Sequence, residues 1–168
     1  MADEHLATYL NDHLAGSVLA LELLEHLEST HAHSWLRHFF SQLHAEVATD
    51  RDVLEGFMDA LKISQSRTRK ASAWLAEKMT ELKLRIDDPQ GGPLRLFESL
   101  EALSLGIEGK RSLWIALRAA AEKSPELRII DYERLIERAD EQRARVEKVR
   151  IDTAREALTP AEPAAGTG

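Results

Sequence analysis

No cysteine occurs among the 168 residues, which excludes disulfides, thiolate metal ligands and cysteine nucleophiles together. Long apolar runs are missing as well. Trp114–Ala121 is broken by Arg118, and nothing approaches the roughly 18 residues of a membrane span. The opening stretch MADEHLATYL has no basic region followed by an apolar core, so no secretory signal is expected and the cytoplasm is the simplest compartment. Basic excess is also absent: 22 Lys and Arg against 29 Asp and Glu give a formal charge of −7. Nucleic acid and anionic membrane surfaces, which reward a basic face, are therefore not expected partners. No glycine-rich phosphate loop, nucleophile elbow or Ser/His/Asp set appears. What remains is 43% hydrophobic and 30% charged, enough for the core of one domain.

Glycine (8) and proline (5) are few and clustered, so the punctuation is easy to read. Over Ala2–Ser29 an apolar stripe steps by fours and threes through Leu6, Leu10, Leu24 and Leu27, with His13, Ser17 and Ala20 in the intervening places. Ser34 suits the N-cap of a second helix, whose stripe runs Leu36, Phe40, Leu43, Val47, Asp50, Leu54, Phe57, Leu61 and ends near Lys62. A third, shorter helix is expected over residues 67–86, with Trp74, Leu75 and Met79 on its apolar side, before the loop Asp87–Pro93. A fourth, opened by Pro93, steps through Leu96, Leu100, Leu103, Ile107, Lys110, Trp114 and Leu117 until Lys123-Ser124-Pro125. A fifth spans about Asp131–Leu158, with Tyr132, Leu135, Ala139, Gln142, Val146 and Val149 inward. Its outer face carries acid–base pairs three apart at Asp131/Arg134, Asp140/Arg143, Glu147/Arg150 and Asp152/Arg155, each adding on the order of 0.3 kcal/mol. Residues 1–158 thus form one helical domain, and 159–168 a Pro/Ala/Gly tail.

The fold class is all-α. Two hairpins of equal length joined by a helical segment long enough to travel back along the bundle resemble the ferritin-like superfamily over about residues 4–158: an antiparallel four-helix bundle whose crossover is itself a helix, five helices in all. A plain up-and-down five-helix bundle is the rival, and periodicity does not separate the two.

The resemblance implies a ligand set: one Glu from each of two helices and a Glu-x-x-His from each of the other two. All seven histidines, His5, His13, His26, His31, His33, His38 and His44, lie in the first 44 residues, so the second hairpin brings no imidazole. The one Glu-x-x-His, Glu28–His31, falls at a helix end. A carboxylate-only centre could be assembled from Glu22, Glu46, Glu98, Glu101, Glu137 and Asp140, but at least half of these fall off the inward stripes. No metal, cofactor or catalytic residue is therefore assigned. The cluster Glu25, His26, His31, His33, His38 fixes no tetrahedron and reads as a solvated turn.

More unusual are the polar side chains on apolar stripes: His13, Asp50, Lys110 and Gln142. A turn centred near residue 31.5 places His13 level with Asp50, since the two numbers sum to 63, and the next link places Lys78 level with Asp50. Lys110 and Gln142 fall within about a turn of each other. His13 beside Asp50 is expected to have its charged form favoured. The set His13, Asp50, Lys78, Lys110 and Gln142 is either a structural network that fixes register or a small-ligand site. Gly106 and Gly109 inside the fourth helix suggest close approach of another group, with Trp74 as the suggested partner. Residues 1–62 hold 11 acids and 3 bases (−8) and residues 63–93 hold 4 acids and 6 bases (+2), a complementarity that favours a homodimer. The expected function is a non-catalytic interaction or scaffold role. The alternatives are a divergent ferritin-like metalloprotein using carboxylate-rich ligation for oxygen or peroxide chemistry, and a small-molecule binder built on the His13/Asp50 layer.

Overall fold

In the computed structural model, which describes residues 4–65 and 92–159, the apolar stripes become four α-helices: α1 Glu4–Thr30, α2 Trp35–Ala60, α3 Gly92–Ala120 and α4 Tyr132–Ala157. One 3₁₀ turn, Pro125–Leu127, precedes α4, and no strand occurs among the described residues. The expected helix over 67–86, with Trp74 and Lys78, and all of the expected tail beyond Thr159 lie outside the described residues.

Local chemistry sets the helix ends. Ser34 occupies the N-cap of α2 with extended backbone, but its hydroxyl donates to the His31 carbonyl (3.1 Å) and makes no capping bond to the helix. Asp131 caps α4 with its own side chain, accepting from the Arg134 amide at 3.1 Å. At the end of α3, Arg128 folds back and donates to the carbonyls of Ala121 (2.7 Å) and Glu122 (2.9 Å). The Tyr132 hydroxyl donates to the Leu127 carbonyl at 2.6 Å, fixing the 3₁₀ turn against α4. Helix α2 closes in a Schellman arrangement: the Lys62 amide donates to the Asp59 carbonyl and the Ile63 amide to that of Met58, both at 2.9 Å. Lys62 sits there at φ 57°, the left-handed conformation that glycine adopts without a Cβ penalty.

The core falls into two clusters. One gathers Leu10 and Leu14 of α1, Phe57 and Met58 of α2, Leu113 and Leu117 of α3, and Leu135 of α4. The other gathers Leu24 and Leu27, Phe40 and Leu43, Leu100 and Leu103, and Val146 and Val149 of the same four helices. The first holds the beginning of α1, the end of α2, the end of α3 and the beginning of α4. Hence α1 and α4 run one way while α2 and α3 run the other, and the chain between Ile63 and Gly92 joins opposite ends of the bundle.

Of the four expected pairs on the last helix, Asp131 meets Arg134 only through the capping bond to its backbone amide, and the other three resolve into two kinds. Arg150 binds Glu147 (2.7 Å) and Arg155 binds Asp152 within α4, whereas Asp140 is taken by Arg111 of α3 (2.7 Å) and Arg143 turns to Glu108 (3.5 Å). Hydrogen bonds from Arg150 and Ser104 hold the Glu147 carboxyl down at about 2.

Replacing Lys62 with glycine removes the left-handed Cβ strain while keeping both closing bonds. Urea denaturation of Lys62→Gly should show a gain of about 1 kcal/mol.

Candidate functional site

Between the two apolar clusters the bundle carries a polar layer. Asp50 lies between Val47 and Leu54, Lys110 between Ile107 and Leu113, and Gln142 between Ala139 and Val146, each on a stripe otherwise given to the core. Because all three stripes face one axis, the three side chains meet. The Lys110 ammonium donates to Asp50 Oδ2 at 2.5 Å and to Gln142 Oε1. The Gln142 amide donates to the same Oδ2 at 3.0 Å. Asp50 is 4% exposed and Gln142 2%, so the layer is interior to the fold.

Arg138, one turn before Gln142 on α4, approaches Asp50 Oδ1 to 2.9 Å as an ion pair whose angles fall outside hydrogen-bond geometry. It also donates to the Glu46 backbone carbonyl at 3.4 Å. Glu46 itself, one turn before Asp50, binds Arg145. Burial acts to raise the Glu46 pKa, but Arg145, with Gln142 and Gln42, outweighs it and holds the carboxyl below its usual value. Burial pushes the Lys110 ammonium below its ordinary pKa, and the charge and hydrogen bond of Asp50 oppose that fall. Removing one partner of such a buried pair strands the others in low dielectric.

His13 does not join this layer. Among the described residues it makes no hydrogen bond to Asp50, whose oxygens are taken by Lys110, Gln142 and Arg138. Its ring stands edge-on to Tyr9 with centroids 4.7 Å apart. The expected favouring of the charged imidazole is overturned: burial lowers its pKa, and the opposing charge comes from Asp12, not Asp50. Lys78 lies outside the described residues.

What His13 and Asp50 do share is a cavity of about 260 Å³ enclosed by α1, α2 and α3. Its walls are mainly aliphatic, from Ala20, Leu43, Val47, Leu54, Leu103 and Ile107, and it reaches Lys110 and Trp114. Gly16, Gly106 and Gly109 border it too, and beyond the glycine's own stretch of helix no atom of the described residues lies within 4 Å of where a Cβ would stand at any of them. The close contact expected at Gly106 and Gly109 is thus not supplied by the described residues, and Trp74 is not among them. Each helical glycine costs roughly 1 kcal/mol relative to alanine. Trp114 is 1% exposed, and its indole nitrogen has no hydrogen-bond partner among the described residues.

The carboxylates that an all-oxygen metal centre would need are engaged elsewhere. Arg145 takes Glu46, Arg95 approaches Glu98 (3.8 Å), Arg150 approaches Glu101 (3.4 Å) and Arg111 takes Asp140. Glu22 and Glu137 are exposed. Among the described residues no group of three or more His, Asp or Glu side chains is arranged to hold a metal ion. Nor is any described helix long and apolar enough to cross a membrane. No protein-family model matches the sequence, and no curated protein or solved structure matches it either.

Two outcomes follow from the layer. Asp50→Leu leaves the half-buried Lys110 and Arg138 uncompensated beside an apolar interior and should cost about 3–5 kcal/mol in urea unfolding, whereas adding Lys110→Met should restore part of that loss. His13 favours its neutral form when folded, so the unfolded chain binds the proton more tightly. Stability should therefore fall as pH drops below about 6.5, and His13→Gln should flatten that part of the stability–pH curve.

Proposed function

We propose that this chain is a ferritin-like helical bundle that works as a non-catalytic interaction module, with an ion-pair layer in place of a di-metal centre. The observation that carries the reading is the state of Asp50. Its carboxylate lies between the two core clusters and faces an ammonium, a guanidinium and an amide, where metal-binding relatives of this architecture direct glutamates and histidines inward. A cation there would have to displace Lys110 and Arg138 against their charge. The ferritin-like arrangement is supported by the helix directions, since α2 and α3 run parallel and a connection between them has to return along the bundle.

The homodimer belongs to the same proposal. The acidic first hairpin and the basic stretch over 63–93 supply charge complementarity. Leu94 and Leu105, about three turns apart on one side of α3, are 45% and 68% exposed and supply apolar area.

The test is one preparation read twice. Protein incubated with ferrous iron or manganese and then dialysed should sediment as a dimer and carry far less than one metal ion per chain. Two ions per chain retained through dialysis would establish the oxygen-chemistry alternative, and a monomer at tens of micromolar would end the dimer.

A further inference from the structure

We infer that the cavity between α1, α2 and α3 is a binding site for a small amphiphilic carboxylate, its apolar body among the aliphatic walls and its acid group toward Lys110 and Trp114. This rests on reading the bundle as a non-catalytic binding module and names what it binds.

The space comes first. Of the four glycines in the interiors of the described helices, Gly16, Gly56, Gly106 and Gly109, three border this one cavity, and at each a methyl group would meet no atom of the described residues beyond its own stretch of helix. Packing among those residues therefore does not require glycine there. Alanine would extend the helices more favourably and would shrink the cavity, so the sequence keeps the volume at the expense of helix stability. Gly106 is exposed, which opens the cavity to solvent along the α1/α3 side. A cavity of about 260 Å³, set against the roughly 150 Å³ that admits benzene, accommodates a ligand of roughly ten non-hydrogen atoms.

The polar chemistry selects the head group. At the inner end the acceptor Asp50 Oδ1 lacks a hydrogen bond, but the Arg138 guanidinium faces it at 2.9 Å, which leaves the donors in excess. The Trp114 indole N–H has no partner among the described residues, and the Lys110 ammonium spends two of its three protons on Asp50 and Gln142. The formal charge of the layer behind the cavity is also positive, because Asp50 faces both Lys110 and the half-buried Arg138 while Glu46 is balanced by Arg145; Arg51, which borders the cavity, is paired with Glu55. Asp12, which borders the cavity, is exposed and is screened by water. Free donors together with a surplus positive charge fit a carboxylate, match an alcohol less well and repel an amine.

Octanoate, with ten non-hydrogen atoms, is the probe, and octan-1-ol and octylamine are its controls. Octanoate should raise the melting temperature of the full chain in a concentration-dependent way, octan-1-ol should raise it less, and octylamine should leave it unchanged. The Gly16→Ala/Gly106→Ala/Gly109→Ala variant should melt above the parent without ligand and lose the octanoate increment. Trp114→Phe, which keeps an aromatic ring and removes the donor, should bind octanoate about tenfold more weakly by calorimetry. The inference is overturned by any of three results: no octanoate shift in the parent, an equal shift from octylamine or octan-1-ol, or undiminished binding in the variants. The experiment is independent of the metal measurement. A metal-loaded protein would sink the non-catalytic reading while leaving an octanoate shift in place, and a missing octanoate shift would leave the dialysis result standing.

Discussion

A single carboxylate, that of Asp50, holds three helices to one another. Burying it is unfavourable unless its charge and its lone pairs are met, and the groups that meet it come from α3 and α4, while Asp50 itself belongs to α2. Aliphatic packing alone tolerates sliding, because one leucine can replace another in a groove. The carboxylate does not. Shifting α2 by one turn against its neighbours would face Asp50 with aliphatic side chains of the two clusters and leave Lys110 without an anion. The polar layer therefore converts a permissive apolar interface into one with a single register.

Helix α1 stands apart from that constraint. It contributes no charge to the layer, and His13, which borders the cavity it shares with Asp50, is pushed toward neutrality by burial. Its middle, residues 15–21, is half-buried on every side instead of divided into a core face and a solvent face. The cavity opens on this side of the bundle. Tight electrostatic registration of α2, α3 and α4 and open space beside α1 are two parts of one arrangement.

Much of this was legible in the residues. The four-three stripes locate all four described helices to within a few residues, because burial of one face is what makes a helix stable here. Asp50, Lys110 and Gln142 stand out since each interrupts a stripe, and charge or amide at an interior position demands a partner. The same reasoning failed for His13. Hairpin arithmetic gives its height, but height does not show that Lys110 and Arg138 would saturate the carboxylate first. Arg138, and the place of Glu46 beside the layer instead of in a metal centre, were hidden for a different reason. They sit one turn from Gln142 and Asp50, so their helical faces were available, yet each lies in a segment dense with charge where an inward residue looks like its solvated neighbours. Cross-helix exchange of partners, as at Asp140 with Arg111, depends on which helices are adjacent, and that is a property of topology that no single stripe contains.

The helix directions carry one more consequence. Helices joined side by side, α1 with α2, α3 with α4, α1 with α3, and α2 with α4 through the Asp50 layer, all run antiparallel. The parallel pairs stand across the diagonals. Each end of the bundle thus presents two amino-terminal and two carboxy-terminal helix ends in alternation, so the peptide dipoles cancel around the ring. The four described helices together have no electrically polar end, and the field around them is set by where their side chains place their charges.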